Sequence, residues 1–156
     1  MGYVQGYAGE MESAQTYAKA QGLDVKALPL KAPSDIAPAF ESIKGHADGL
    51  YVAITPFTTV NRTEIFGLAL DARLPSVTGL QEYVATGALI SYGTNFVEVF
   101  RRAGDAVDRI LRGEKPGDLP IQQSTKFDLA VNLKTAKTLD LAIPSSIFAA
   151  ADEVIE

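Results

Sequence analysis

The feature that most constrains the fold is an alternation of short apolar strands with amphipathic helices. The run Gly49–Thr55 is almost continuously apolar, which is typical of a parallel strand covered on both faces. Five strands are predicted in all, at Tyr3–Gln5, Leu23–Leu30, Gly49–Thr55, Leu74–Thr78 and Ala88–Tyr92. Helices are predicted between them over 10–21, 33–44 and 58–73, with a short turn at 82–86. After Pro120 a longer extended segment is predicted over 121–132. The alternation predicts an α/β fold: an open, mostly parallel sheet flanked by helices, in strand order 2-1-3-4-5.

The best-specified helix follows the fifth strand, after a predicted tight corner at Ser91–Gly93. Asn95 is a predicted N-cap, with Glu98 three residues later as the second half of a capping box. Gly113 and Pro116 mark the end of the helix. Its apolar residues recur every three or four positions and form one stripe: Phe96, Val99, Phe100, Ala103, Ala106, Val107, Ile110 and Leu111.

Composition excludes several classes of protein. A chain of 156 residues has the length of one domain, and no apolar run approaches the roughly 18 residues that a membrane helix needs. The net charge of −5 argues against a nucleic-acid partner. The chain contains no cysteine, so disulfides and thiolate metal sites are excluded. The first residues, MGYVQGYAGEMES, lack the basic and apolar regions of a signal peptide.

Candidate ligand contacts lie in the loops that follow the strands, because open α/β sheets bind ligands at the carboxyl ends of their strands. These loops supply hydroxyls, amides, one carboxylate and aromatic rings, a set that suits a small polar molecule with an apolar or aromatic part. For any one residue, a role as a helix cap or loop filler explains it at least as well. The predicted contacts are Tyr7, Thr55, Phe57, Thr58, Gln81, Glu82, Tyr92 and Asn95.

Catalytic groups are few. His46 is the only histidine, and it precedes the third strand, so it is predicted at the opposite edge of the sheet. No nucleophile elbow, phosphate-binding loop or dinucleotide fingerprint is present in the sequence. We therefore predict no catalytic residue, no metal and no cofactor. Two other hypotheses stay open: a small flavodoxin-like enzyme or cofactor-binding module that uses the same loops, and a ligand-free dimeric scaffold.

Several motifs in the second half of the chain carry a resemblance to a known family. In order, they are GALISYG (87–93), VDRILRG (107–113), Leu119-Pro120, TKFDL (125–129), VNLKTAK (131–137) and the ending from Ile143-Pro144 to ADEVIE (151–156). Together they resemble the C-terminal part of ABC-transporter substrate-binding proteins with the type I periplasmic-binding-protein fold, in the uncharacterised or aromatic-amino-acid-binding group. The resemblance implies a non-enzymatic lobe that binds a solute such as an amino acid for an ABC permease. It also implies a periplasmic or other extracytoplasmic location.

The resemblance also implies how the chain is divided. Residues 1–87 would form the core of a second lobe, 88–118 a segment that returns to a first lobe, and 119–156 the final crossover and tail. Gly79 and Gly93 would act as hinges where the chain crosses between lobes. Without the first lobe, the stripe on helix 96–111 needs another cover. We expect it to pack on its own sheet as a flavodoxin-like unit, or on a second copy in a homodimer, with or without exchanged segments.

Overall fold

The computed structural model describes residues 2–4 and 8–156. Seven strands in these residues are β1 (Gly2–Val4), β2 (Lys26–Leu28), β3 (Leu50–Val52), β4 (Ser76–Thr78), β5 (Ile90–Thr94), β6 (Phe127–Asn132) and β7 (Glu153–Ile155). They form one sheet in the order β2-β1-β3-β4-β5-β6-β7. The first five strands are parallel, which confirms the predicted order. β6 runs antiparallel to β5, and β7, which the sequence did not predict, is parallel to β6.

The helices are α1 (Ala8–Ala20), α2 (Ile36–Ile43), α3 (Pro56–Val60), α4 (Arg62–Asp71), α5 (Phe96–Leu111), α6 (Leu133–Leu139) and α7 (Ser145–Ala150). Short 3₁₀ turns lie at Pro33–Asp35, Gln81–Thr86 and Pro116–Asp118. The helix predicted over 58–73 is broken at Asn61, whose side-chain amide donates to the Phe57 carbonyl at 2.8 Å. Gly67 does not interrupt α4. Within residues 2–4 and 8–156, no helix has the length and apolar character to cross a bilayer.

One face of the sheet holds the main core. The register places Leu28, Leu50 and Val52 on the same face, where they join buried side chains of α2, α4 and the 81–86 turn. Phe66 and Tyr83 meet there edge to face, with ring centroids 5.6 Å apart. On the other face, Tyr51 donates a 2.6 Å hydrogen bond to Glu10 of α1. α1 therefore lies on the face opposite the main core, while Val77 and Tyr92 on that face stay exposed.

The region around α5 corrects three predictions. Ser91–Gly93 is part of β5 and forms no tight corner, since these residues pair with β6. Only the second half of the predicted extended segment 121–132 is a strand. The helix forms with the predicted ends, but none of its residues is buried. The prediction that its apolar stripe packs back on its own sheet is therefore wrong.

Candidate functional site

The end of β3 is organised by two threonines. Thr55 caps α3, because its Oγ1 accepts from the Thr58 backbone N–H at 3.1 Å, and the Thr58 Oγ1 accepts from the Thr55 N–H at 2.9 Å. Thr58 also donates to the Ala53 carbonyl at 2.7 Å and is fully buried. Half-buried Phe57 packs against the core. The loop is therefore rigid, and Thr55 is its more accessible hydroxyl.

The end of β4 carries the next two predicted contacts. Gln81 is half-buried, and its amide donates to the Glu153 carboxylate at the start of β7. Glu82 is exposed. Because β7 runs opposite to β4, its first residue reaches the same edge of the sheet as the end of β4. Glu153 is thus a second carboxylate at this edge, which the sequence did not reveal because β7 itself was not predicted.

An exposed aromatic pair lies where β5 and β6 meet. Tyr92 and Phe127 stack with ring centroids 5.8 Å apart and planes inclined by 20°. Their side chains point to the same face, because Tyr92 pairs with Leu129 and Phe127 with Thr94 in the antiparallel register. Both rings remain about half exposed or more. Phe127 was missing from the predicted contacts, and it enters the site because β6 brings it beside Tyr92.

Asn95 links the start of α5 to β6. Its Oδ1 accepts from the Glu98 N–H at 2.7 Å, which confirms the predicted N-cap. The second half of the predicted capping box is wrong, because the Glu98 carboxylate accepts from Arg101 and Arg102 instead of the Asn95 N–H. The Asn95 Nδ2 donates to Asp128 Oδ2 at 2.5 Å, and its backbone N–H donates to the Lys126 carbonyl at 3.1 Å. Asp128 is buried, with Lys126 Nζ 3.9 Å from its other oxygen. The buried Asp128 carboxylate therefore holds Asn95, the N-cap of α5, in place.

The two predicted hinge glycines touch each other. A Cβ built on Gly93 would lie only 1.9 Å from the Gly79 carbonyl oxygen, so only glycine fits at position 93. Gly79 is also confined, since a Cβ there would lie 3.2 Å from Ile54 Cδ1. Gly79 follows the end of β4 and Gly93 lies in β5, so this close approach joins the last two parallel strands. Their role as hinges stays a prediction.

One buried hydroxyl next to this crossing has no partner. Ser91 Oγ lies on β5, opposite Thr78 of β4, and is the buried side-chain oxygen or nitrogen without a hydrogen bond among the described residues. Thr78 Oγ1, by contrast, donates to the Val52 carbonyl at 3.1 Å. A buried hydroxyl without a hydrogen-bond partner costs stability. The fold itself therefore gives no reason for a polar side chain at position 91.

The other candidate residues lie away from the carboxyl ends of the strands, or they are not among the residues that the structure describes. Tyr7 falls outside the described residues. His46 is exposed and lies before β3, at the opposite edge of the sheet as predicted, where it lines a hollow. A groove between α5 and Leu119–Ser124 contains Arg102 and Arg109, but Glu98 and Glu114 already pair with them. No group of histidine, aspartate and glutamate residues in 2–4 and 8–156 could hold a metal ion.

Comparison with known proteins identifies a family model and a relative that match this chain. The family model described as ABC transporter substrate binding protein matches residues 5–155. A tyrosine-binding protein of Clostridioides difficile (strain R20291) is 24% identical over 132 residues, which are 85% of this chain and 38% of that protein. The chain thus spans well under half of this relative.

Two crystal structures have the same fold. A conserved domain protein of Vibrio cholerae O1 biovar El Tor strain N16961 superposes with a TM-score of 0.88 and 25% identity, over 98% of this chain and 53% of that one. The ABC domain of a Streptococcus pneumoniae protein, solved in complex with L-Trp, gives 0.86 and 21% identity, over 99% and 55%. This chain therefore spans about half the length of each. The family match covers nearly the whole sequence, and the chain belongs to the ABC transporter substrate-binding protein family.

Proposed function

We propose that this chain binds a small molecule, specifically an amino acid with an aromatic side chain, at the carboxyl ends of its parallel strands. The observation that carries the proposal is the exposed Tyr92–Phe127 pair. A flat apolar side chain can stack on these rings. Relatives that bind tyrosine or contain L-Trp support the same ligand class.

The polar end of the ligand needs groups that orient it. Thr55, Gln81, Glu82 and Asn95 are the accessible or half-buried polar residues among the predicted contacts. Glu82 and Glu153 supply carboxylates for an ammonium group. Tyr7, Phe57 and Thr58 remain part of the predicted set, although the buried Thr58 hydroxyl already accepts from the Thr55 N–H and donates to the Ala53 carbonyl.

The wider role is also a proposal. We assign the chain to one lobe of the binding component of an ABC uptake system. The lobe would work outside the cytoplasm and deliver its ligand to the permease of that system. Within the chain, 1–87 forms the core of the lobe, 88–118 the segment that returns to a first lobe, and 119–156 the final crossover and tail, with Gly79 and Gly93 as hinges. The family match supports this assignment. A homodimer, expected from the sequence, remains part of the proposal because α5 leaves its apolar side exposed.

Nuclear magnetic resonance titration tests the ligand proposal. A single lobe encloses a ligand on one side only, so we expect weak binding of L-Trp, L-Tyr and L-Phe, with dissociation constants on the order of 1 mM. Shifts should centre on Tyr92, Asn95 and Phe127, and L-Ala should give smaller ones. Tyr92→Ala should abolish the aromatic preference, whereas Tyr17→Ala, an exposed tyrosine on α1, is the matched control.

Two results would contradict this. Shifts that centre on the hollow around His46 would place the site at the wrong edge. Micromolar affinity of the chain alone would show that its cleft is already complete.

A further inference from the structure

Two residues of opposite charge flank Phe127 at the beginning of β6. Asp128 is only 8% exposed, and its Oδ1 lies 3.9 Å from Lys126 Nζ. This distance is too long for a hydrogen bond, and the Lys126 side chain is 60% exposed. A buried carboxylate needs close partners, and a loose contact with an exposed amine is a weak one. Within the part of the chain that the structure describes, Asp128 is therefore only partly satisfied.

The other oxygen of Asp128 is held firmly. Oδ2 accepts from Asn95 Nδ2 at 2.5 Å, and Asn95 is itself fixed because its Oδ1 accepts from the Glu98 N–H. No residue in 2–4 and 8–156 donates a hydrogen bond to Oδ1 of Asp128. The carboxylate thus has a fixed orientation and one unused oxygen. This arrangement suits the binding of a cationic group, because the site needs little ordering when the cation arrives.

A second acceptor lies on the same side of the sheet. Gly93 pairs with Asp128 in the register of β5 and β6, so a Cβ at Gly93 would point to the face that holds the Asp128 side chain. That Cβ would clash with the Gly79 carbonyl oxygen, which therefore occupies this face. Paired Cβ positions are about 5 Å apart, so this carbonyl is a close neighbour of the Asp128 side chain. An ammonium group has three N–H donors and can bind a carboxylate and a carbonyl together.

Lys126 adds a positive charge beside these acceptors. Its carbonyl accepts from the Asn95 N–H at 3.1 Å and from the Ser124 hydroxyl at 3.2 Å, so its backbone is anchored. The side chain is long and flexible, and its exposed amine can turn from Asp128 toward an anion. Asp128 and Lys126 therefore present opposite charges side by side. A zwitterionic head group carries the complementary charges.

We propose that Asp128 and Lys126 bind the two charged groups of a zwitterionic amino acid. The Asp128 Oδ1 and the Gly79 carbonyl accept from the ammonium group, and the Lys126 amine binds the carboxylate. This inference rests on the proposed function, because it adds head-group contacts to the aromatic pair of Tyr92 and Phe127. Phe127 and Asp128 point to opposite faces of β6, so the ligand contacts both by crossing the end of that strand.

The other carboxylates at this edge are less suited to direct contact. Glu82 is exposed, and Glu153 already accepts from the Gln81 amide. Opposite charges attract each other more strongly where water is excluded, which favours the buried Asp128. We therefore expect Glu82 and Glu153 to add negative charge around the site, while Asp128 makes the contact.

Nuclear magnetic resonance titrations with three ligands test the two contacts separately. L-Trp carries both charged groups, tryptamine carries only the ammonium group, and indole-3-propionate carries only the carboxylate. Asp128→Asn should weaken the binding of L-Trp and tryptamine several-fold, but not that of indole-3-propionate. Lys126→Gln should weaken L-Trp and indole-3-propionate several-fold, but not tryptamine. Lys44→Gln is the matched control, since Lys44 belongs to an exposed pair with Glu41 at 3.7 Å, and it should change none of the three.

The crossed pattern cannot come from misfolding, because a misfolded variant loses all three ligands together. Lys126 is exposed, so Lys126→Gln keeps the test decisive even where Asp128→Asn destabilises the fold. If Lys126→Gln weakens all three ligands equally, or none of them, the inference is overturned while the aromatic preference of the wild type still supports the proposed function. If the wild type binds none of the three ligands better than L-Ala, the proposed function fails, and this inference fails with it.

Discussion

α4 and α5 are both well-formed helices, but they stand in opposite environments. α4 buries Ile65, Phe66 and Ala69 in the core, and one of its neighbours is the buried Tyr83. α5 is longer and more regularly amphipathic, yet it buries no residue. The contrast teaches that helix regularity and helix burial are separate properties. The stability of the chain should come from α4 and the sheet, and α5 should contribute little to it.

The sharpest way to break this comparison is to truncate one phenylalanine in each helix. Phe66→Ala should destabilise the chain by about 3–5 kcal/mol, because it leaves a cavity beside Tyr83. Phe100→Ala should change the free energy of unfolding of the dilute chain by less than about 0.5 kcal/mol. Urea unfolding followed by circular dichroism measures both. Equal losses would show that α5 is part of the core.

Glycine substitutions sharpen the comparison at the crossing. Gly93→Ala forces a methyl group against the Gly79 carbonyl and should cost about 1–3 kcal/mol or more. Gly67→Ala, inside α4 where a Cβ meets nothing within 4 Å, should instead stabilise the chain by up to roughly 1 kcal/mol. Melting temperatures report both signs. A harmless Gly93→Ala would mean that β5 and the end of β4 can separate at no cost.

Two asparagine caps provide a matched test. Asn132 caps α6 and donates to the Val84 carbonyl at 2.8 Å inside the core, so Asn132→Ala should lower global stability by about 2 kcal/mol. Asn95→Ala should lower the local stability of the first turn of α5 by about 1 kcal/mol, which would be measured as faster hydrogen exchange there. A global loss from Asn95→Ala as large as that from Asn132→Ala would contradict this division.

The smallest effect concerns pH. The hydrogen bonds from Arg102 and Arg101 lower the pKa of Glu98 below its ordinary value of 4.5. Because the folded-state pKa is the lower one, this contribution is complete above the ordinary value and is lost as the pH falls through the lowered pKa. We expect a small loss of helical circular dichroism below pH 4.5. Glu98→Gln should flatten that part of the titration, and an unchanged titration would contradict the prediction.

Sequence patterns predicted the parallel strands and the two ends of α5 because these depend on local chemistry. Alternation predicted the α/β class, the usual topology of such sheets gave the order of the first five strands, and Asn95 marked the start of the helix. Periodicity identifies an apolar side but not its cover, so the exposure of α5 was not predictable. Phe127, Asp128 and Glu153 were missed at the site because they depend on antiparallel and C-terminal pairings across long sequence separations.

The hydrogen bond from the Asn95 N–H to the Lys126 carbonyl joins the two ends of the segment 95–126, which contains α5. The first and last residues of this segment therefore lie side by side, next to the paired ends of β5 and β6. A tight two-residue turn could join β5 directly to β6 without moving either strand. We therefore expect a chain in which such a turn replaces 95–126 to keep the sheet and its core folded, because α5 buries none of its residues against them.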